Sequence, residues 1–319
     1  MRARCTVGGS LLFGIALAAA GRADEPPASV ELKVVRGVTY VERESGPLKA
    51  DVYLPLPLRA RPGVLMVHGG AWMSGSRSQM AGHAALVARA GYSVVSIDYR
   101  LAPRHKFPAQ LEDCQAALGW MRQEAAEHYL NSARIAGYGY SAGGHLVCLV
   151  GMVGAAQADG GAAAAGDAGP GLQAVVAGGA PCDFRQVPPH VQALAYWLGG
   201  TRQQLPQRYR LASPAAFVSA AAPPTFFFHG QEDRLVPQAS PRGMMQQLLA
   251  AGVPATMFLV PEQGHLGAFL DRRAIQEAVS FLDRVLKSGE TAEPLTDVDD
   301  GSEQAADAGR APELPASPQ

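Results

Sequence analysis

Four stretches of this chain set reactive side chains beside glycine. The first is Gly139-Tyr140-Ser141-Ala142-Gly143. The residues before it, Arg134 to Gly139, read as a short buried strand, and those after it, Ala142 to Val150, as an apolar helix. A serine at such a junction, with glycine two residues before and two after, occupies a tight, strained turn that lifts its hydroxyl clear of the sheet. The glycines answer a steric need, because side chains there would collide with neighbouring backbone. The helix start beneath the serine favours developing negative charge. Taken alone, the motif is also what an ordinary turn in a glycine-rich chain looks like.

A serine hydroxyl is a weak nucleophile until a base takes its proton. Downstream of Ser141 stand His145, His190, His229 and His265. His145 lies one turn past the serine on the same helix and cannot easily swing back to it; it either shapes the substrate pocket or packs. His190 falls in an irregular excursion, and His229 closes a strand, a structural place. His265, in Pro261-Glu262-Gln263-Gly264-His265, follows the last strand and is the expected general base. An acid should orient that imidazole and stabilise its charged form. Asp233 is the expected acid, with Glu232 as the adjacent alternative and Asp183 as a weaker one. Attack on a carbonyl creates an oxyanion that needs N–H donors set in advance. Gly69 and Gly70, in His68-Gly69-Gly70-Ala71-Trp72, can expose their amides, and Ala142 supplies a further one. No C-x-x-C, H-E-x-x-H or similar metal-ligand spacing occurs, so no metal is expected.

These loops have to be carried by regular elements. Val30 to Glu42 and Lys49 to Leu54 read as a hairpin around Ser45-Gly46-Pro47. Gly63 to Val67 is a continuous apolar run, as in a strand buried on both faces. Gly82 to Ala90 is a short helix and Tyr92 to Tyr99 another strand. An irregular loop, Leu101 to Pro108, leads into an amphipathic helix from Ala109 to Glu127. Further strands are expected at Ala174–Ala177, Pro224–Gly230 and Ala255–Val260, with helices at Gln238–Ala251 and Arg273–Leu286. Strands alternating with helices imply an α/β fold with a mostly parallel central sheet and helices on both faces. His68, Ser141, Asp233 and His265 each follow a strand, so all four reach the carboxyl edge of the sheet, where functional loops gather.

The remaining segments set the domain limits. Residues 1–23 have a basic start and a short apolar run before small residues, the layout of a signal peptide. This predicts a secreted or periplasmic protein without a stable membrane span after cleavage, the alternative being an uncleaved anchor. Residues 24–287 read as the catalytic domain. Within it, 154–171 is almost wholly Ala, Gly, Asp and Gln and reads as a flexible insertion, while 182–222 reads as a lid-like excursion. Residues 288–319, with eight acidic side chains and one arginine, read as a disordered acidic tail. A net charge of −1 gives nucleic acid no purchase. Cys114, Cys148 and Cys182 form no disulfide framework, although one pair is possible in an oxidising compartment.

Together these pieces resemble the hormone-sensitive-lipase-like esterases of the α/β-hydrolase superfamily, especially the bacterial feruloyl/acetyl esterase branch. The resemblance rests on His68-Gly69-Gly70-Ala71-Trp72 with Gly75-Ser76, Asp98-Tyr99-Arg100-Leu101-Ala102-Pro103, Phe107-Pro108-Ala109, Gly139 through His145, Ala222-Pro223-Pro224, His229-Gly230 through Pro237, and Gly264-His265. It covers roughly residues 48–286. Ala71 departs from the third glycine common in the motif, and Tyr140 replaces the Asp or His often found before the serine. The resemblance implies an α/β-hydrolase fold and cofactor-free hydrolysis of short-chain carboxylic esters through an acyl-enzyme. The substrate would be a small-molecule or carbohydrate ester. Trp72, Tyr99 and His145 are expected to contact it, with Trp197 either beside them or in the core. A serine peptidase of related fold and a non-catalytic binding protein are the competing readings.

Overall fold

The computed structural model describes residues 30–158 and 171–287. The expected signal (1–23) and acidic tail (288–319) lie outside the described residues, as does 159–170 of the expected insertion. All elements named below belong to the unit that begins at Glu31.

Eight strands form one sheet: β1 (Leu32–Val41), β2 (Leu48–Pro55), β3 (Arg61–Val67), β4 (Ser93–Ile97), β5 (Leu130–Tyr140), β6 (Ala174–Gly178), β7 (Thr225–Gly230) and β8 (Ala255–Val260). Their order is β1-β2-β4-β3-β5-β6-β7-β8. β1 and β2 are the hairpin, β2 meets β4 antiparallel, and every pairing from β4 to β8 is parallel. The helices are α1 (Ala81–Arg89), α2 (Ala109–Gln123), α3 (Ala142–Ala158), α4 (Ala195–Leu198), α5 (Pro206–Leu211), α6 (Ala239–Ala250), α7 (His265–Leu270) and α8 (Arg272–Leu282). This is the α/β-hydrolase architecture that the sequence implies. No helix among the described residues is long and apolar enough to cross a membrane.

Strand alternation divides the core in two. Leu65 and Val67 of β3 face one cluster with Leu111 of α2, Leu146 of α3 and Leu248 of α6. Val64 and Met66 face the other, with Val87 of α1, Ala268 of α7 and Phe281 of α8. α8 is started by Asp271, whose carboxylate accepts the Ala274 amide. Cys114, Cys148 and Cys182 are all free and buried.

α3 continues to Ala158, past the point where the insertion was expected to begin at residue 154. Alanine is the strongest helix former, and Val153 and Ala155 still bury their side chains. Composition alone therefore placed that boundary too early. In the excursion 182–222, α4, α5 and a turn at Pro214–Ala216 are the only regular pieces among the described residues.

The loop from Asp98 to Pro108 is fastened by one buried carboxylate. Asp113 of α2, whose side chain is fully buried, accepts Arg43 Nε at 3.0 Å, the Arg100 amide at 2.9 Å and Arg100 Nε at 2.8 Å. It joins the hairpin, the loop and α2. Asp113→Ala would take the acceptor from Arg43 Nε, Arg100 Nε and the Arg100 amide, leaving Arg100 with Glu112, so it should cost about 2–3 kcal/mol in urea unfolding. A change within the roughly 0.5 kcal/mol of an ordinary surface substitution would contradict that role.

Candidate active site

Ser141 has φ 55°, in the left-handed region. The cause is the close approach of α3 to β3: a Cβ added at Gly143 would stand 2.0 Å from the Val67 carbonyl oxygen. No other residue type fits there, and the chain must turn sharply at Ser141 to bring Gly143 so close. The Ser141 amide donates to Gly178 O at 2.7 Å, which ties the turn to β6.

The loop after β8 brings His265 to the same edge. Its Nδ1–H donates to Asp233 Oδ2 at 2.6 Å, leaving Nε2 for another partner. The imidazole and the Ser141 turn share a border at the end of β6. Gly178 accepts from Ser141, and a Cβ at the adjacent Gly179 would lie 3.0 Å from His265 Cε1. Asp233 Oδ1 accepts the Leu235 and Val236 amides, both at 2.9 Å. Burial alone would push the Asp233 carboxyl up, but these amides and His265 outweigh it and hold it below the usual carboxylate range. The carboxylate beside His265 is thus that of Asp233. Glu232 is exposed, and Asp183 is paired with Arg185 at 2.8 Å.

His68 to Trp72 lies against the serine. A Cβ at Gly69 would be 3.0 Å from the Tyr140 carbonyl oxygen and 3.3 Å from Ser141 Cβ. The chain then passes through three left-handed residues, Gly70 (φ 110°), Ala71 (52°) and Trp72 (60°). Ala71 in the place of a third glycine accepts that conformation at a steric cost. The surroundings enforce it: the Ala102 amide donates to Trp72 O at 2.8 Å and the Tyr196 hydroxyl to Ala71 O at 2.7 Å.

Trp72 and Tyr99, expected with His145 to contact the substrate, pack against the glycine loop and against His145 or His68. All three are buried, and His145 is completely so. Tyr99 stacks on His68 at 4.2 Å and its hydroxyl donates to His68 O at 3.1 Å. Trp72 stacks on Trp197 at 3.8 Å between ring centroids, almost parallel. Trp72 Nε1–H donates to His145 Nδ1 at 3.2 Å, and His145 Nε2–H donates to Ala212 O at 2.7 Å. Large rings beside a glycine loop suit a pocket wall and a core equally well; here Trp72 and His145 also pack against the excursion. One chain of contacts runs from the glycine loop through α3 to the segment 182–222, which is bolted down at Trp197 and Ala212.

Two residues with a place at the site were not assigned one from sequence. His229 Nε2–H donates to Val236 O at 2.8 Å and lies 3.2 Å from Asp233 Oδ2, so the carboxylate has an imidazole on two sides. The four-residue spacing from His229 to Asp233 was the available signal. Tyr196 had none, because its partner Ala71 is far away in sequence. Among the described residues, no group of His, Cys, Asp or Glu is placed to hold a metal ion.

Burial lowers the His145 pKa to about 4 and that of His83 in α1 to about 4. An exposed imidazole titrates near 6.5. The unfolded chain therefore takes up protons first as pH falls. Stability is complete above roughly 6.5 and drops until about 4, by up to roughly 3 kcal/mol for each histidine. His145→Gln keeps an acceptor and a donor but does not titrate. The loss in unfolding free energy between pH 7.5 and 4.5 should shrink by roughly 2–3 kcal/mol in that variant; an equal loss in variant and parent would contradict the assignment.

Residues 50–248 match the BD-FAE family. Esterase LipC of Mycobacterium tuberculosis (strain ATCC 25618 / H37Rv) is 31% identical over 228 residues, covering 68% of this chain and 55% of that protein. The chain spans about half the length of the curated relatives it matches. A truncated form of a carbohydrate esterase from gut microbiota superposes with a TM-score of 0.71 at 25% identity, covering 81% of this chain and 98% of that one. The butyrate-bound form of the thermophilic esterase Est2 from the planctomycete Thermogutta terrifontis gives 0.64 at 26% identity, over 81% of this chain and 93% of that one. With the sheet order, the serine turn and a match over most of the described chain in agreement, this chain belongs to the BD-FAE family, within the α/β-hydrolase esterases.

Proposed function

We propose that this chain hydrolyses short-chain carboxylic esters, with Ser141 as nucleophile, His265 as general base and Asp233 as the acid that orients it. The observation that carries this reading is the 2.6 Å bond from His265 Nδ1 to Asp233, made beside a serine in a strained turn. With Nδ1 engaged, Nε2 takes the Ser141 proton as the hydroxyl oxygen bonds to the ester carbon. The carbonyl electron pair moves to oxygen, where the amides of Gly69, Gly70 and Ala142 receive it. Collapse expels the alcohol, which leaves with the proton from His265. Water then attacks the acyl-enzyme, again through His265, and frees the carboxylic acid and the serine.

A short acyl chain is favoured because Trp72, Trp197, Phe184 and His145 fill the space behind the glycine loop with rings packed on one another. The butyrate held by the similar Est2 structure supports the same acyl size. A carbohydrate alcohol, acetylated or feruloylated, is part of the proposal and draws on the similar carbohydrate esterase. Export to the periplasm or medium belongs to it as well, on the pattern of residues 1–23.

Ser141→Ala should fold and lose at least two to three orders of magnitude in kcat on p-nitrophenyl acetate. Asp233→Asn should lose a large factor and Glu232→Gln little; reversed phenotypes would move the acid by one residue. The substrate side is tested by kcat/KM across esters that differ only in acyl length, alongside acetylated xylo-oligosaccharides and a peptide amide. Each methylene that no longer fits should cost about 1–3 kcal/mol. Efficiency that stays flat or rises beyond eight carbons would contradict the short acyl site. Amide cleavage at a rate matching the ester would favour a peptidase.

A further inference from the structure

We infer that Tyr140 is a positioning residue: it sets the distance between Ser141 and His265 by holding the backbone of the base. The inference rests on the reading that these two residues act together. Tyr140 precedes Ser141 at the end of β5, and its hydroxyl donates to the main-chain carbonyl of His265. Its ring is buried, 5.2 Å from the His265 imidazole, 4.9 Å from Phe269 and 5.6 Å from Phe228 between centroids. A Cβ at Gly179 would come 2.8 Å from Tyr140 Cζ, so the ring packs directly on the Gly179 backbone. One side chain thus joins the backbone of the nucleophile to that of the base. The other link between them is the end of β6, where Gly178 accepts from Ser141 and Gly179 borders the His265 ring without a hydrogen bond to it.

The helix that carries His265 needs such a hold. α7 has only six residues, far below the length at which a helix is stable unaided. Its Leu266 and Leu270 are 62% and 69% exposed, so the outer face adds no packing. The far end is fastened from the same strand. Tyr138, two residues before Tyr140 and so on the same face of β5, meets His83 Nδ1 at 3.0 Å. His83 Nε2–H donates to Phe269 O at 2.8 Å, which makes Nδ1 the acceptor of the Tyr138 hydroxyl. The His83 ring also stacks on Phe269 at 4.5 Å. α7 is therefore held near each end, by Tyr140 directly and by Tyr138 through His83. Two anchors fix its rotation as well as its position, and with it the direction of the His265 ring. In-line proton transfer is sensitive to that direction.

The test is Tyr140→Phe, which keeps the ring and deletes one O–H. On p-nitrophenyl acetate, kcat should fall roughly 10- to 100-fold, with KM changed less than about twofold. Phosphonylation of the enzyme by an organophosphonate, which needs the Ser141–His265 geometry but no turnover, should slow by a similar factor. Tyr138→Phe, acting at the far anchor, should show a smaller kcat loss with KM again held, and it carries the test if Tyr140→Phe fails to fold. Parent-like kcat and phosphonylation in a folded Tyr140→Phe, with Ser141→Ala inactive, would overturn the positioning role alone. Full turnover in Ser141→Ala would overturn the reading of the site beneath it.

Discussion

The contact on which the site depends is between two pieces of backbone. Gly143 lies so close to the Val67 carbonyl that a single methyl group would sit 2.0 Å from the oxygen. Because α3 is pressed onto the end of β3, Ser141 must take a left-handed conformation, and the serine projects beyond the sheet edge. The same closeness places the loop after β3 against the serine, with the Gly69 position facing Ser141 Cβ. β3 and β5 are neighbours in parallel register, Val67 opposite Gly139, so the strand pairing delivers both halves of this arrangement. Asp233 and His265 follow β7 and β8, also neighbours. β6 lies between the two pairs and lends them Gly178 and Gly179 as a common border.

The segment 182–222 gives the glycine loop its rigidity. Three successive left-handed residues, two of them not glycine, would relax if left unsupported. Trp72 is held by stacking on Trp197 and by its bond to His145, and Ala71 by Tyr196. His145 does this as a neutral imidazole, accepting on one nitrogen and donating on the other, which is the form its burial favours. Asp233 is treated in the opposite way. Two amides and two imidazoles surround it, a setting that keeps the negative charge that stabilises a protonated partner. Neutrality at His145 and negative charge at Asp233 follow from burial and from which donors each group meets.

Much of this was legible in the chain. Local rules of turn and strand chemistry located the hairpin, the parallel strands and the four loops at one edge, because glycine at Gly139 and Gly143 and the apolar run to Val67 constrain only their own neighbourhood. What was not legible depends on contacts between distant segments. Trp72 and Tyr99 are aromatic beside a glycine loop in either role; that Trp72 stacks on Trp197, from another part of the chain, is reported by no local pattern. Tyr140 stood out as a departure from the usual residue, but its partner lies on α7, and no local pattern reports that. The helix boundary at Ala158 was hidden by composition, since alanine suits both a helix end and an insertion.

The central claim is that Ser141 becomes covalently acylated in turnover. The direct measurement is acid-quenched mass spectrometry of the full chain mixed with excess p-nitrophenyl butyrate, followed by peptide mapping. The account predicts one butyryl group on the peptide that contains Ser141, absent from Ser141→Ala and lost when the substrate is exhausted. Turnover with no adduct on that peptide, or an adduct that persists unchanged in Ser141→Ala, would contradict it.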